Sequence, residues 1–277
     1  MWPIAAHSKG IGLRSEHLAA LCQSPKRDEI DFLELAPENW MGIGGEKREM
    51  LECIAEKYPL VAHGLNLSIG DAQPLNRDFV REVAGFLKRY QIGIYSEHLS
   101  FSRDRQGYLY DLLPLPRHQE NISYIADRIN CVQDIIQRPL ALENISYYYC
   151  YENDMPEQEF FNALVEKTEC QLLLDINNLY VNARNHHYDP MVFLKSINAD
   201  AIRYFHIAGH FVQEDGFTLD THGTSVSQQV ITLARTCFDL YGPRPLLLER
   251  DHHLPTLSVL CDELATVHEK LVMQEEE

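Results

Sequence analysis

Two hydrophobic rhythms alternate along the chain. Short runs that are largely apolar up to their last residue recur at Ile11 to Leu13, Asp31 to Leu35, Leu60 to His63, Ile92 to Glu97, Leu140 to Glu143, Leu172 to Asp175, Ile202 to His206 and Leu246 to Glu249. Continuous apolar runs of this length, rather than alternating ones, mark strands buried on both faces. Between them the apolar positions shift to the helical period: in Asn76 to Tyr90, Phe79, Val83, Phe86, Leu87 and Tyr90 build one face. Helices are predicted likewise over His17 to Cys22, Glu46 to Tyr58, His118 to Gln137, Pro156 to Thr168, Pro190 to Ala199, Thr224 to Leu240 and Pro255 to Leu271, several with Pro or Thr near the start. Eight strand runs, each followed by a helix, close most simply into an α/β fold of the (β/α)8 TIM-barrel type. No linker or composition shift divides the chain, so one domain is expected, with its core over about residues 10–271 and an acidic tail at 272–277 whose end, Glu275 to Glu277, should fray. An open doubly wound sheet is the competing fold. Neither Gly10-Ile11-Gly12 nor Gly42-Ile43-Gly44-Gly45 completes the G-x-G-x-x-G turn it would need to bind a dinucleotide.

Composition narrows the function classes. The 277 residues are 45% hydrophobic and 23% charged, an ordinary globular balance. Lys+Arg 24 against Asp+Glu 41 gives a net charge of −17, which repels nucleic acid and anionic lipid. No apolar run is long enough to cross a bilayer and MWPIAAHSKG has no signal-peptide pattern, so a cytoplasmic protein without membrane attachment is expected. The seven cysteines are odd in number and contain no C-x-x-C, which argues against a disulfide framework or a zinc-thiolate site and for reduced packing residues.

The chemistry lies where the strands end, because the βα loops of a barrel converge on one mouth. The terminal groups are Glu34, His63, Glu97-His98, Glu143-Asn144, Asp175, His206 and Glu249. One such residue is more often a local hydrogen-bonding group at the start of a loop; so many together are not explained that way. If His63, Glu143, Asp175, His206 and Glu249 point inward, alternation puts Val61, Ala141, Leu173, Tyr204 and Leu247 in a mostly apolar layer beneath. Converging carboxylates resist ionisation unless cations neutralise them, and imidazole with carboxylate but no thiolate suits iron, manganese or zinc. Glu143, Asp175, His206 and Glu249, the expected catalytic set, suffice for one ion. The surplus of His63, His98, Asn177, His210, Asp220 and His222 points to two or three. His186-His187 and His252-His253 read as solvated loop histidines, with His252 the nearest to the site. Tyr147 to Tyr149 with Tyr151 either pack or wall a pocket, and Trp40 to Gly45 forms a lid or a plain turn.

The blocks G-I-G-L-R, D-F-L-E-L-A-P-E-N-W, H-G-L-N-L-S-I-G, Y-S-E-H-L-S-F, L-E-N-I-S, L-L-D-I-N-N-L-Y-V-N, H-I-A-G-H, D-T-H-G and L-L-L-E-R-D, in this order, make the chain resemble the multinuclear non-heme iron-dependent oxidase family of methanobactin biosynthesis, from about Gly10 to about Leu264. The resemblance implies a barrel with two or three irons in its mouth, acting with dioxygen on cysteines of a ribosomally made precursor peptide, and often with a separate protein that presents the peptide. Carried over residue by residue, it implies His63, His98, Glu143, Asp175, Asn177, His206, His210, Asp220, His222 and Glu249 as iron ligands. Two other classes compete: a divalent-metal hydrolase or isomerase of the sugar-isomerase or endonuclease type, and a non-catalytic metal-binding protein. The charge of −17 opposes the nuclease and the excess of histidine opposes a two-metal isomerase.

Overall fold

The computed structural model describes residues 4–272; the acidic Glu275 to Glu277 end lies outside them. Eight parallel strands close a barrel: β1 (Lys9–Gly12), β2 (Phe32–Leu35), β3 (Leu60–Gly64), β4 (Tyr95–His98), β5 (Leu140–Glu143), β6 (Gln171–Asp175), β7 (Ile202–Ile207) and β8 (Leu246–Leu248), with β8 returning to β1. All eight predicted runs are strands. β1 starts two residues early, at Lys9, and β4 three residues late, where Ile92 and Ile94 are buried but lie ahead of the ladder.

Helices cover the barrel from outside, each apolar face packed on it. Arg77–Arg89 is typical: Asn76 caps it by accepting from the Phe79 N–H at 3.1 Å, and Val80, Val83, Phe86 and Leu87 are buried. Three elements depart from the expected plan. A helix at Ile176–Asn185 begins directly on β6, and two antiparallel hairpins, Ser100–Arg103 with Tyr108–Pro114 and Phe211–Val212 with Thr218–Leu219, grow from loops after β4 and β7. INNLYVNARN carries three asparagines in its first seven residues, a composition that disfavours a helix; Asp175 overrides that propensity by accepting the Asn178 N–H at 2.6 Å as N-cap.

Inside the barrel Phe32, Val61, Ile94, Leu173, Tyr204 and Leu247 form a separate buried cluster. Four of the five residues predicted for the layer beneath the site belong to it, and the fifth, Ala141, is fully buried as well. Burial of each large member stabilises the fold by roughly 1.5–3 kcal/mol, so this plug is a rigid floor for whatever projects above it. Strand register then decides which groups are neighbours: His98 lies beside Glu143 and Asp175 beside His206.

Candidate metal centre

The strand-end groups form one file of donors across the barrel mouth. At one end His63 Nε2, His98 Nε2 and Glu143 Oε2 lie 3.0–3.1 Å from one another. In the middle His206 Nδ1 is 3.0 Å from Glu249 Oε2, 3.7 Å from Glu143 Oε1 and 4.0 Å from Asp175 Oδ2. At the outer end His222 Nδ1 is 3.1 Å from Asp251 Oδ2 and 3.5 Å from Glu249 Oε2, while its Nε2 is 2.6 Å from Asp220 Oδ1. Glu143 belongs to the first two groups and Glu249 to the last two, an arrangement suited to carboxylates that bridge neighbouring cations.

Under-satisfied buried donors support the same reading. Glu143 Oε2, Asp175 Oδ2, His206 Nδ1 and His222 Nε2 make no hydrogen bond of good geometry; their contacts are the ion pairs at 2.6–4.0 Å within the file, and each residue is nearly inaccessible. Buried polar atoms are normally satisfied, so four such atoms that meet mainly one another fit cation ligation.

A hydrogen-bond chain beneath the file sets the imidazoles. His63 Nδ1 lies 2.8 Å from Ser96 Oγ, Ser96 Oγ lies 2.6 Å from the Tyr204 hydroxyl, and that hydroxyl donates to Glu34 Oε2 at 2.7 Å. Glu34 also accepts from His206 Nε2, at 3.0 and 3.1 Å to its two oxygens. The consistent assignment places the retained protons on His63 Nδ1 and His206 Nε2, so that His63 Nε2 and His206 Nδ1 present lone pairs to the file once their second protons leave.

The field is set by burial and by the density of carboxylates. Burial alone would lower His63, but the neighbouring Glu143 carboxylate lifts it to about 9. Burial outweighs Glu143 at His98 and lowers that ring to about 4. Burial opposes ionisation of Glu143, yet His98 and His63 bring it down to about 2. At Asp175 burial and then Glu143 both push upward, to about 8. His206 and His222 are raised well above the ordinary value, because Glu34 and Glu249 in the one case, and Asp220 and Glu249 in the other, overcome desolvation. The file therefore attracts positive charge. Metal loading must expel protons from His63, Asp175, His206 and His222, so its affinity should rise with pH through the range of about 8 to 9 set by Asp175 and His63, with proton release. Titration with ferrous or manganous ion in weak buffer checks this; loading that is independent of pH would remove His63 and Asp175 from the ligand set.

Not every residue named from the sequence reaches the file. Asn177 is turned aside, its Oδ1 2.9 Å from His210 Nδ1 and its amide donating to Asp220 Oδ1 at 2.8 Å; His210 stacks on Tyr180 with ring centroids 4.9 Å apart. These two brace Asp220 from behind. The neighbouring Asn178 instead lines the cavity with its Oδ1 unpartnered. Glu97 is also turned away, accepting from the Tyr95 hydroxyl at 2.8 Å and the Leu67 N–H at 3.2 Å. A Cβ at Gly64 would come within 2.0 Å of its Oε1, so glycine is required there.

Above the file lies a cavity of about 500 Å³. Tyr147, Tyr148 and Tyr149 wall it, as do His252 and, from the first hairpin, Leu112 and Leu113. His186 instead stacks on Tyr147 without lining the cavity, and Trp40 is buried with Lys47 over its ring while Gly42, Gly44 and Gly45 of its loop are exposed. Among the described residues no helix is long and apolar enough to cross a membrane.

Sequence comparison matches residues 8–272 to the family described as RiPP precursor modification enzyme MbnB/TglH/ChrH. The UPF0276 protein of Shewanella sediminis is 44% identical over 260 residues, covering 94% of this chain and 93% of its own length. Solved structures share the barrel at low identity. D-psicose 3-epimerase from Clostridium cellulolyticum matches with TM-score 0.60 and 8% identity over 95% of both chains. Endonuclease IV from Thermus thermophilus matches with TM-score 0.59 and 15% identity over 96% of this chain and 98% of that one.

Proposed function

We propose that this chain, which belongs to the MbnB/TglH/ChrH family of RiPP precursor modification enzymes, oxidatively modifies cysteine residues of a ribosomally made precursor peptide with two or three iron ions and dioxygen. The observation that carries this reading is the file of imidazole and carboxylate donors joined by Glu143 and Glu249 at the floor of an open cavity. Nitrogen with oxygen donors, and no thiolate among them, suits iron better than magnesium or calcium and leaves a coordination position for a sulfur from the substrate.

His63, His98 and Glu143 would hold the inner ion, Glu143, Asp175, His206 and Glu249 the middle one, and Glu249 and His222 with Asp220 or Asp251 the outer one. Bound iron supplies one-electron exchange between a cysteine thiolate and dioxygen. The chain's own residues do the rest. Glu34 and Ser96 hold the His206 and His63 rings at fixed angles, so the ligand geometry exists before substrate arrives. Tyr147 and Leu113 exclude water from the sides of the cavity, and the unpartnered Asn178 Oδ1 offers an acceptor to a peptide N–H or an ion. Deprotonated Asp175 offsets cation charge through Oδ2 while its Oδ1 stays engaged as helix cap. The open mouth suits a peptide delivered by a separate presenting protein.

The test is mass spectrometry of a cysteine-containing peptide encoded beside the gene and co-expressed with it. Its mass should change only with dioxygen present and without NAD(P)H or 2-oxoglutarate, and the Cys→Ser peptide should stay unmodified because a hydroxyl ligates iron poorly and is harder to oxidise. Equal modification under strict anaerobiosis, or of the serine peptide, refutes the oxidative reading in favour of a metal-dependent hydrolase or isomerase.

A further inference from the structure

The G-I-G-L-R block near the N-terminus carries no role in the chemistry above, and the L-L-L-E-R-D block near the other end none beyond Glu249 and Asp251, yet the two blocks meet in space. Arg14, just beyond β1, donates through Nε to the Arg250 carbonyl at 3.1 Å and through Nη2 to Asp251 Oδ1, and the same Nη2 is 3.7 Å from Glu249 Oε1. Asp251 and Glu249 are also the carboxylates that gather around His222 at the outer end of the file. We propose that Arg14 is a built-in counter-cation of the outer position, so that the protein holds two ions tightly and takes a third only when the Arg14 ion pair opens. This rests on the metal-binding reading given above and adds to it a difference between the positions.

The difference follows from the chemistry of the two kinds of positive group. At the inner and middle positions the neighbouring positive groups are imidazoles, which yield to a metal by losing a proton, apart from Arg14 at Glu249, the carboxylate that the middle position shares with the outer one. Among the described residues Glu143 and Asp175 form ion pairs with histidines, and with no lysine or arginine. A guanidinium keeps its charge at every working pH and can yield only by moving. Three contacts hold it, to a carbonyl and two carboxylates, and an ion at the outer position must share Glu249 and Asp251 with it. Movement is possible because the Arg14 side chain is 32% exposed and lines the cavity. Gly12 provides its bed: a Cβ there would lie 3.2 Å from Arg14 Nε and 3.3 Å from Nη2. His222 stands between Asp220, 2.6 Å from its Nε2, and Asp251, 3.1 Å from its Nδ1, so the outer position already gathers an imidazole and three carboxylates around Arg14's partners.

The experiment is an anaerobic titration of metal-stripped full-length protein with cobaltous ion, read by its visible spectrum and by bound metal after desalting. The parent should retain two ions tightly and the third weakly. Arg14→Met, similar in length but uncharged, should bind the third about tenfold or more tightly, since removing one unit charge at contact distance relieves repulsion of that order. Arg14→Lys should restore the parent pattern, which a purely structural role for the planar guanidinium would not allow. Arg14→Gln, which also removes the charge, should move in the same direction as Arg14→Met and serves if that variant does not fold. An unchanged third affinity in folded Arg14→Met, or a parent that already holds three ions tightly, overturns the inference alone. A parent that holds no ion tightly overturns the metal-binding reading itself.

Discussion

Glu143→Gln protein, purified without oxygen, should lose both the inner and the middle ion, and its turnover of a cognate peptide should fall by more than about 100-fold. Residues that only orient a metal ligand typically change affinity or activity by about 10–100-fold, and Glu143 is placed to do more than orient. Its Oε2 lies 3.0 and 3.1 Å from His63 and His98, and its Oε1 lies 3.7 Å from His206, so one carboxylate serves two positions. Glutamine preserves volume and the β5 register but brings a neutral amide whose NH2 cannot ligate. The fold should survive: the residue projects above the Val61, Leu173, Tyr204 and Leu247 plug rather than forming part of it. Metal analysis beside a thermal melt separates the two effects. A folded Glu143→Gln that retains two ions and turns over normally would show that the first two groups are not linked through this residue.

The limits of sequence reasoning are themselves physical. The barrel was legible because parallel strands covered by helices must be apolar on both faces, and runs such as LALE and LLLD leave little else to be. Their last residues could therefore be read as the polar rim, and His63, Glu143, Asp175, His206 and Glu249 do converge there. The sequence says least where a residue's role depends on which way a loop turns. Asn177 and Asn178 are adjacent and chemically identical; only the helix that Asp175 initiates turns the first toward His210 and the second toward the cavity. Arg14 and Asp251 are separated by 237 positions and each reads alone as an ordinary loop charge, so their pairing needed the closure of β1 on β8. The two hairpins have no core of their own to announce them, and the first contributes cavity wall from a segment whose Tyr110 is almost wholly exposed.

Glu34 shows how much of a site lies behind the ligands. It lies in β2 and stands among the polar strand ends, yet the ten residues implied as ligands leave it out, and the structure places it under His206. Its Oε2 receives the His206 Nε2–H at 3.1 Å and the Tyr204 hydroxyl at 2.7 Å, while its Oε1 lies 3.0 Å from the same His206 nitrogen. A glutamine here keeps one acceptor oxygen but loses the charge that favours a proton on Nε2, and its NH2 opposes the Tyr204 hydroxyl. The His206 ring is then free to exchange tautomers and to turn its lone pair away from Asp175 and Glu249. Glu34→Gln should therefore weaken retention of the middle ion by about 10–100-fold while leaving every ligand in place. Tyr204→Phe removes only the link from Ser96 to Glu34 and should cost less metal affinity than Glu34→Gln. Metal retention against a chelator series, measured for both variants at one pH, gives the comparison. If Glu34→Gln retains metal as tightly as the parent, His206 is held by its ring packing alone and the hydrogen-bond chain from Ser96 to Glu34 has no part in presenting its Nδ1.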